Sequence, residues 1–270
     1  MLYLFQLEWL KQKKFIIFRV MILFYLIALP ALLLMGKSIE LGKNPPPFLA
    51  STDIFYVFPT VWLWLGYIGN WLSFFFLGFL AVLMVTNEQN NRTLRQNIIT
   101  GLSRKEYYLS KVIFIVFLAF CSTLYFTICA LTFGFIHTET IYFSTVLKNA
   151  DYIYRYFLMC MGYMSFGFLL GILIRRTGIA LFLYITYIMV LESILRYTQL
   201  YFFKSRSMHF YPLNAIEDLI PIPFSEMAEG FIQKNGFSLF LSPSEAIIAS
   251  LIYIVLFLFL SYKWLQRIDL

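Results

Sequence analysis

The sequence predicts an all-α polytopic membrane protein of six transmembrane helices, organised as one domain over residues 1–270. Two observations carry the class. Hydrophobic residues make up 61% of the chain and charged residues 13%, an excess of apolar surface that a soluble domain could not bury and that lipid accommodates. The apolar residues fall in continuous runs long enough for helices to cross a hydrocarbon core of about 30 Å, not in the short alternating segments of a transmembrane barrel.

The elements follow in chain order. Residues 1–14, MLYLFQLEWLKQKK, place Leu2, Phe5 and Trp9 at helical spacing before three lysines, which predicts an interfacial elbow helix on the inner leaflet. The six spans are expected at Phe15–Met35, Ile68–Thr86, Val112–Ile136, Tyr156–Ile174, Gly178–Tyr197 and Ala246–Tyr262. The first is too long for a signal-peptide core and is retained as an anchor. Ile54–Gly66 is apolar but too short to span alone. Gly66, Gly69 and Asn70 interrupt the run after it, so it reads as an interfacial or re-entrant piece following the extended Pro45–Pro47 linker. The outer segment, residues 198–245, carries Pro212, Pro221 and Pro223 and is expected to form short surface helices. Ser242-Pro243-Ser244-Glu245 is a strong helix-start signal for the sixth span.

Lysine and arginine orient the chain. With both termini inside, thirteen of the 21 basic residues and four of the 14 acidic ones lie on the cytoplasmic side. The net charge of +7 is therefore sorted by side, which argues against a nucleic-acid partner. Cys121, Cys129 and Cys160 sit singly in apolar spans, and His137 and His209 are isolated, so neither a disulfide frame nor a metal centre is expected. Gly36-Lys37-Ser38 lacks the first glycine and the strand of a phosphate-binding loop. No catalytic constellation appears, and the chain reads as a non-enzyme with no cofactor of its own.

Candidate functional residues concentrate in a cytoplasmic loop, residues 87–111. Leu94, Ile98, Ile99 and Leu102 form an apolar stripe opposite Arg92, Arg95 and Gln96, and Gly101 ends this short helix. Ser103-Arg104-Lys105-Glu106 is a capping box that launches the third span. Asn91-Arg92-Thr93 matches a glycosylation sequon, but its cytoplasmic side excludes that use. In the membrane, Glu192 and Arg196 stand four apart near the outer end of the fifth span. They are expected to be a wet, mutually compensating pair or an outer gate. Asn70 and Glu88 bound the second span as further candidates for the path.

The chain resembles the membrane subunit (permease) of type-2 ABC transporters along its whole length. Glu88, Thr93, Ser103, Arg104 and Lys111 match a pattern common in that family around the second and third spans, while Arg92 replaces a usual glycine and Gly101 stands where proline is common. The resemblance implies a partner ATPase subunit carrying ATP and magnesium, and a second permease copy, identical or not. It further implies a coupling helix formed by Arg92, Thr93, Leu94, Arg95, Ile98, Ile99, Leu102, Ser103, Arg104 and Glu106, and a location in the cell membrane. The competing expectation is an ATP-independent channel or membrane scaffold.

Overall fold

The computed structural model describes residues 2–36, 52–91, 93–223, 231–232, 236–238 and 240–267. Arg92, the Pro45–Pro47 linker and Lys37-Ser38 lie outside them. Among the described residues every regular element is helical. Six helices are long and apolar enough to cross a membrane: Ile16–Met35, Val61–Asn90, Arg104–His137, Phe143–Leu173, Thr177–Phe203 and Pro243–Arg267. We number the α-helical pieces α1 (Leu2–Gln12), α2 (Ile16–Met35), α3 (Val61–Leu72), α4 (Phe79–Asn90), α5 (Thr93–Ile99), α6 (Arg104–His137), α7 (Phe143–Leu147), α8 (Tyr152–Leu173), α9 (Thr177–Thr186), α10 (Glu192–Phe203), α11 (Pro212–Glu217) and α12 (Pro243–Arg267).

The fourth span is the hub. Its apolar window is 78% buried, against 17% for the fifth span and 22% for the first, and α8 packs against α4, α6 and α12. Lipid is as apolar as leucine, so the open faces of the first and fifth spans cost nothing in a bilayer. The C-terminal turn of α12 lies beside the start of α6: Arg104 Nη1 donates to the Gln266 carbonyl at 2.5 Å and Tyr108 Oη to the Leu258 carbonyl at 2.9 Å. A guanidinium at a helix C-terminus meets both orphan carbonyls and the negative end of the dipole. We call this end of the bundle, which carries α1, α5 and the end of α12, the terminal face, and the end carrying α11 the distal face.

One expected boundary is wrong. Val61–Gly66 is not an interfacial piece but the opening of the second span, one 30-residue helix from Val61 to Asn90. Only Thr52–Phe55 forms a separate 3₁₀ turn before it. The glycines that suggested an interruption are there for close packing. A Cβ on Gly69 would meet the Tyr156 ring at 2.5 Å, and one on Gly66 would meet Ile220 at 3.1 Å. Other spans run past their apolar cores because their ends are polar helix. Both capping boxes form: the Glu106 and Glu245 amides donate to Ser103 Oγ (3.2 Å) and Ser242 Oγ (3.4 Å), and each glutamate accepts from its serine amide at 2.9 Å.

The glycine packing is directly testable. Gly69→Ala should lower thermal stability in detergent by about 1–3 kcal/mol through overpacking against Tyr156. Gly178→Ala, where an added Cβ meets nothing within 4 Å, should be neutral or slightly stabilising. Equal behaviour of the two variants would contradict this packing.

Candidate functional site

Two polar constructions stand out, one at each end of the bundle. At the terminal face, α1 is set off from α2 by a turn at Lys13–Lys14, with Phe15 extended (φ −79°, ψ 113°). Its Phe5 and Trp9 rings lie against Phe114 and Phe117 of α6. The adjoining stripe, Leu4, Glu8 and Gln12, is buried. Glu8 is fully buried because Lys111 of α6 is buried with it. Lys111 Nζ donates to Glu8 Oε1 at 2.6 Å, to Glu88 Oε1 at 2.6 Å and to the Met84 carbonyl at 3.4 Å, which uses all three ammonium protons. Lys11 adds a second bond to Glu88 Oε1 at 3.1 Å, and Gln12 Nε2 donates to Glu8 Oε1 at 2.8 Å. Three elements distant in sequence (α1, α4 and α6) thus share one ionic knot.

The loop helix hangs from this knot. Thr93 Oγ1 donates to the Glu88 carbonyl at 3.1 Å, and Leu94 is buried in the core. Ile98 and Leu102 pack partly against the same core. Three of the four stripe residues read from the sequence, Leu94, Ile98 and Leu102, therefore face the protein itself. Arg95 and Gln96 are exposed, and Ile99 keeps 75% of its surface open. The helix closes with Leu102 N donating to the Asn97 carbonyl at 3.0 Å and Gly101 at φ +108°, a Schellman-type end that only glycine adopts cheaply. Proline, fixed near φ −65°, could not occupy position 101 in this geometry.

At the distal face, Glu192 corrects the sequence expectation. It is 3% exposed, not wet, and its closest partners are not Arg196. Its two oxygens accept from the Leu213 amide at 3.1 Å and from the Asn214 amide at 2.5 Å. The positive N-terminus of α11 offers free N–H groups to a carboxylate, and the outer segment folds back to deliver them. Arg196 keeps a buried Nε without a hydrogen-bond partner. Asn70 and Arg196 both line a partly open cavity of 360 Å³, together with Trp71, Phe74, Tyr163, Tyr197, Glu217, Asp218 and Phe240. Tyr163 Oη donates to Asn70 Oδ1 at 2.6 Å.

Both helices beside this cavity carry a π-helical turn, Ser73–Gly78 in the second span and Tyr187–Leu191 in the fifth. Such turns release carbonyls and recur at functional sites. Here Tyr184 Oη donates to the Phe74 carbonyl at 3.1 Å, pinning one span to the other. Asp218 Oδ2 accepts from the Leu241 amide at 3.0 Å and from Asn214 Nδ2 at 3.1 Å. Burial nevertheless pushes its carboxyl up to about 7, and Glu217 is raised by the same cause. His209 is buried between Phe231 and Phe237, where burial lowers its pKa to about 4 and keeps it neutral.

Sequence reasoning missed Glu8, Lys11, Tyr163, Glu217 and Asp218. A signal existed for Glu8 alone: an acid at the centre of the Leu4-Glu8-Gln12 stripe. The cavity residues converge only through the fold of the outer segment. Among the described residues no group of histidine, cysteine or carboxylate side chains could hold a metal ion.

The knot predicts a non-additive mutant series. Lys111→Met alone should destabilise by about 3–5 kcal/mol because it strands two buried carboxylates. Combining it with Glu8→Gln and Glu88→Gln should restore a substantial part of that loss, read from thermal unfolding in detergent. Asp218 predicts a pH dependence. Its folded value lies above its ordinary 3.8, so its contribution to stability is fully present below about pH 4 and is lost as pH rises through 7. The wild type should therefore lose more stability between pH 5 and pH 8 than Asp218→Asn does. Equal slopes would contradict a buried, proton-holding Asp218.

Comparison with curated proteins gives no match. Residues 48–270 match the model of a family described as "Protein of unknown function (DUF2705)", and since that covers most of the chain, the protein belongs to this family.

Proposed function

We propose that this chain is the membrane-spanning permease subunit of an ATP-binding-cassette transporter of the exporter kind. A separate ATPase subunit carrying ATP and magnesium drives it, and a second permease copy faces it. The observation that carries the reading is α5. It is a short helix beyond the apolar spans, anchored on one side by Thr93 and Leu94 and on the other by the Ser103–Glu106 box, with Arg95 and Ile99 left uncovered. A seven-residue helix pinned at both ends, with a free apolar tip, suits docking into a groove of a soluble partner. α5 is then the coupling helix and α1 the elbow helix. In this reading the face is cytoplasmic, with both termini, and the positive-inside tendency of its basic residues supports that side.

The ionic knot gives the docking helix something to pull. Displacement of α5 acts on the Glu88 end of the second span, and Lys111 passes it to the third span and to α1. The second span also lines the distal cavity through Asn70, Trp71 and Phe74, so the two polar constructions are joined by one helix. The open faces of the first and fifth spans leave room for a second permease.

The test is an affinity pull-down in mild detergent with partners identified by mass spectrometry. Wild type should recover an ATPase subunit, and an Arg95→Glu, Ile99→Asp variant should lose it. Both substitutions lie on exposed positions, so the fold should survive. Recovery of no ATPase with folded wild type would move the reading to an ATP-independent channel or scaffold.

A further inference from the structure

The distal cavity has a chemical bias that the transport reading does not supply. Its titratable lining is Arg196, Glu217 and Asp218; burial raises both carboxyls, and a bound cation would favour their ionised forms. Asp218 is engaged by the Leu241 amide and the Asn214 side chain. Among the described residues the Glu217 side chain makes no hydrogen bond and no ion pair, and it is half-buried in the cavity wall. Its carboxyl is thus left open to the cavity, where a ligand of opposite charge could meet it. Arg196 lines the same cavity and acts on Glu217 only at a distance, for among the described residues the two form no ion pair within 4.0 Å. The remaining wall is aromatic, with Trp71, Phe74 and Tyr197, whose ring faces attract organic cations. A mostly apolar wall with a few convergent polar groups at 360 Å³ is the form of a small-molecule site.

We infer that this cavity binds a lipophilic organic cation, its charge set against Glu217 and its apolar body against the Trp71–Tyr197 wall. The inference concerns this chain alone and stands without any ATPase.

The probes are tetraphenylphosphonium and tetraphenylborate, ions of one shape and opposite charge. Each is titrated by equilibrium dialysis against the purified chain in detergent micelles, with empty micelles subtracted. Tetraphenylphosphonium should bind saturably and tetraphenylborate should not. Glu217→Gln should weaken the cation about tenfold, the scale of one charge-assisted contact, and Glu217→Asp should retain most of the affinity. Trp71→Ala should weaken it as well. Absence of saturable cation binding, equal binding of the two ions, or unchanged affinity in a folded Glu217→Gln protein would each overturn the inference. If Glu217→Gln does not fold, the comparison of the two ions on wild type decides alone. With no ATPase present, either result leaves the pull-down outcome untouched.

Discussion

Everything at the terminal face follows from burying one ammonium group. Lys111 is fully enclosed, and an enclosed charge must be met by opposite charge with all its protons used. Glu88, one turn from the end of the second span, is the partner supplied by the neighbouring span. It could not suffice alone, because Lys111 has three protons to place and Glu88 and the Met84 carbonyl take only two of them. Glu8 supplies the third acceptor, and it can do so only if α1 folds back across α6. The N-terminal helix is therefore a structural member of the bundle. Detaching it would strand Lys111 with one carboxylate and expose the knot to lipid.

The distal face meets the same constraint differently. Glu192 is buried in the fifth span, and its counter-charge is a helix terminus rather than a side chain. That choice positions the outer segment: α11 must start over Glu192, which sets Asn214, Glu217 and Asp218 around the cavity. One carboxylate is thereby satisfied and another left open. The terminal knot uses every Lys111 proton, although Glu8 Oε2 and Glu88 Oε2 stay buried without a hydrogen-bond partner, whereas the distal cavity leaves the Glu217 side chain open. The former suits a mechanical joint and the latter a recognition surface.

Much of this was legible in the sequence. Six spans followed from run length, because the bilayer core demands a fixed number of apolar residues. Both capping boxes and the Gly101 stop followed from local backbone chemistry. What was not legible depends on neighbours distant in sequence. Gly66 and Gly69 looked like breaks because a glycine gives the same signal whether it ends a helix or admits Tyr156 and Ile220. Glu192 looked paired with Arg196 because four-residue spacing is a local cue, whereas α11 arrives from twenty residues on. The stripe of Leu94 and Ile98 suggested an outward apolar face, and only the packed bundle shows that Ile99 is the uncovered residue. Glu8 was readable as a polar intruder on a buried stripe, but Lys111 gave it no partner until α1 and α6 were placed together.

The central claim is that a soluble ATPase grips the exposed tip of α5. The most direct measurement replaces Ile99 with a photoreactive phenylalanine derivative and crosslinks in intact cells, with adducts identified by mass spectrometry. The account predicts a covalent adduct with a nucleotide-binding subunit from position 99, and none from Ile252, which is also exposed but lies within the apolar span of α12. Adducts at position 99 with lipid or with this chain alone, in a protein that still folds, would contradict it.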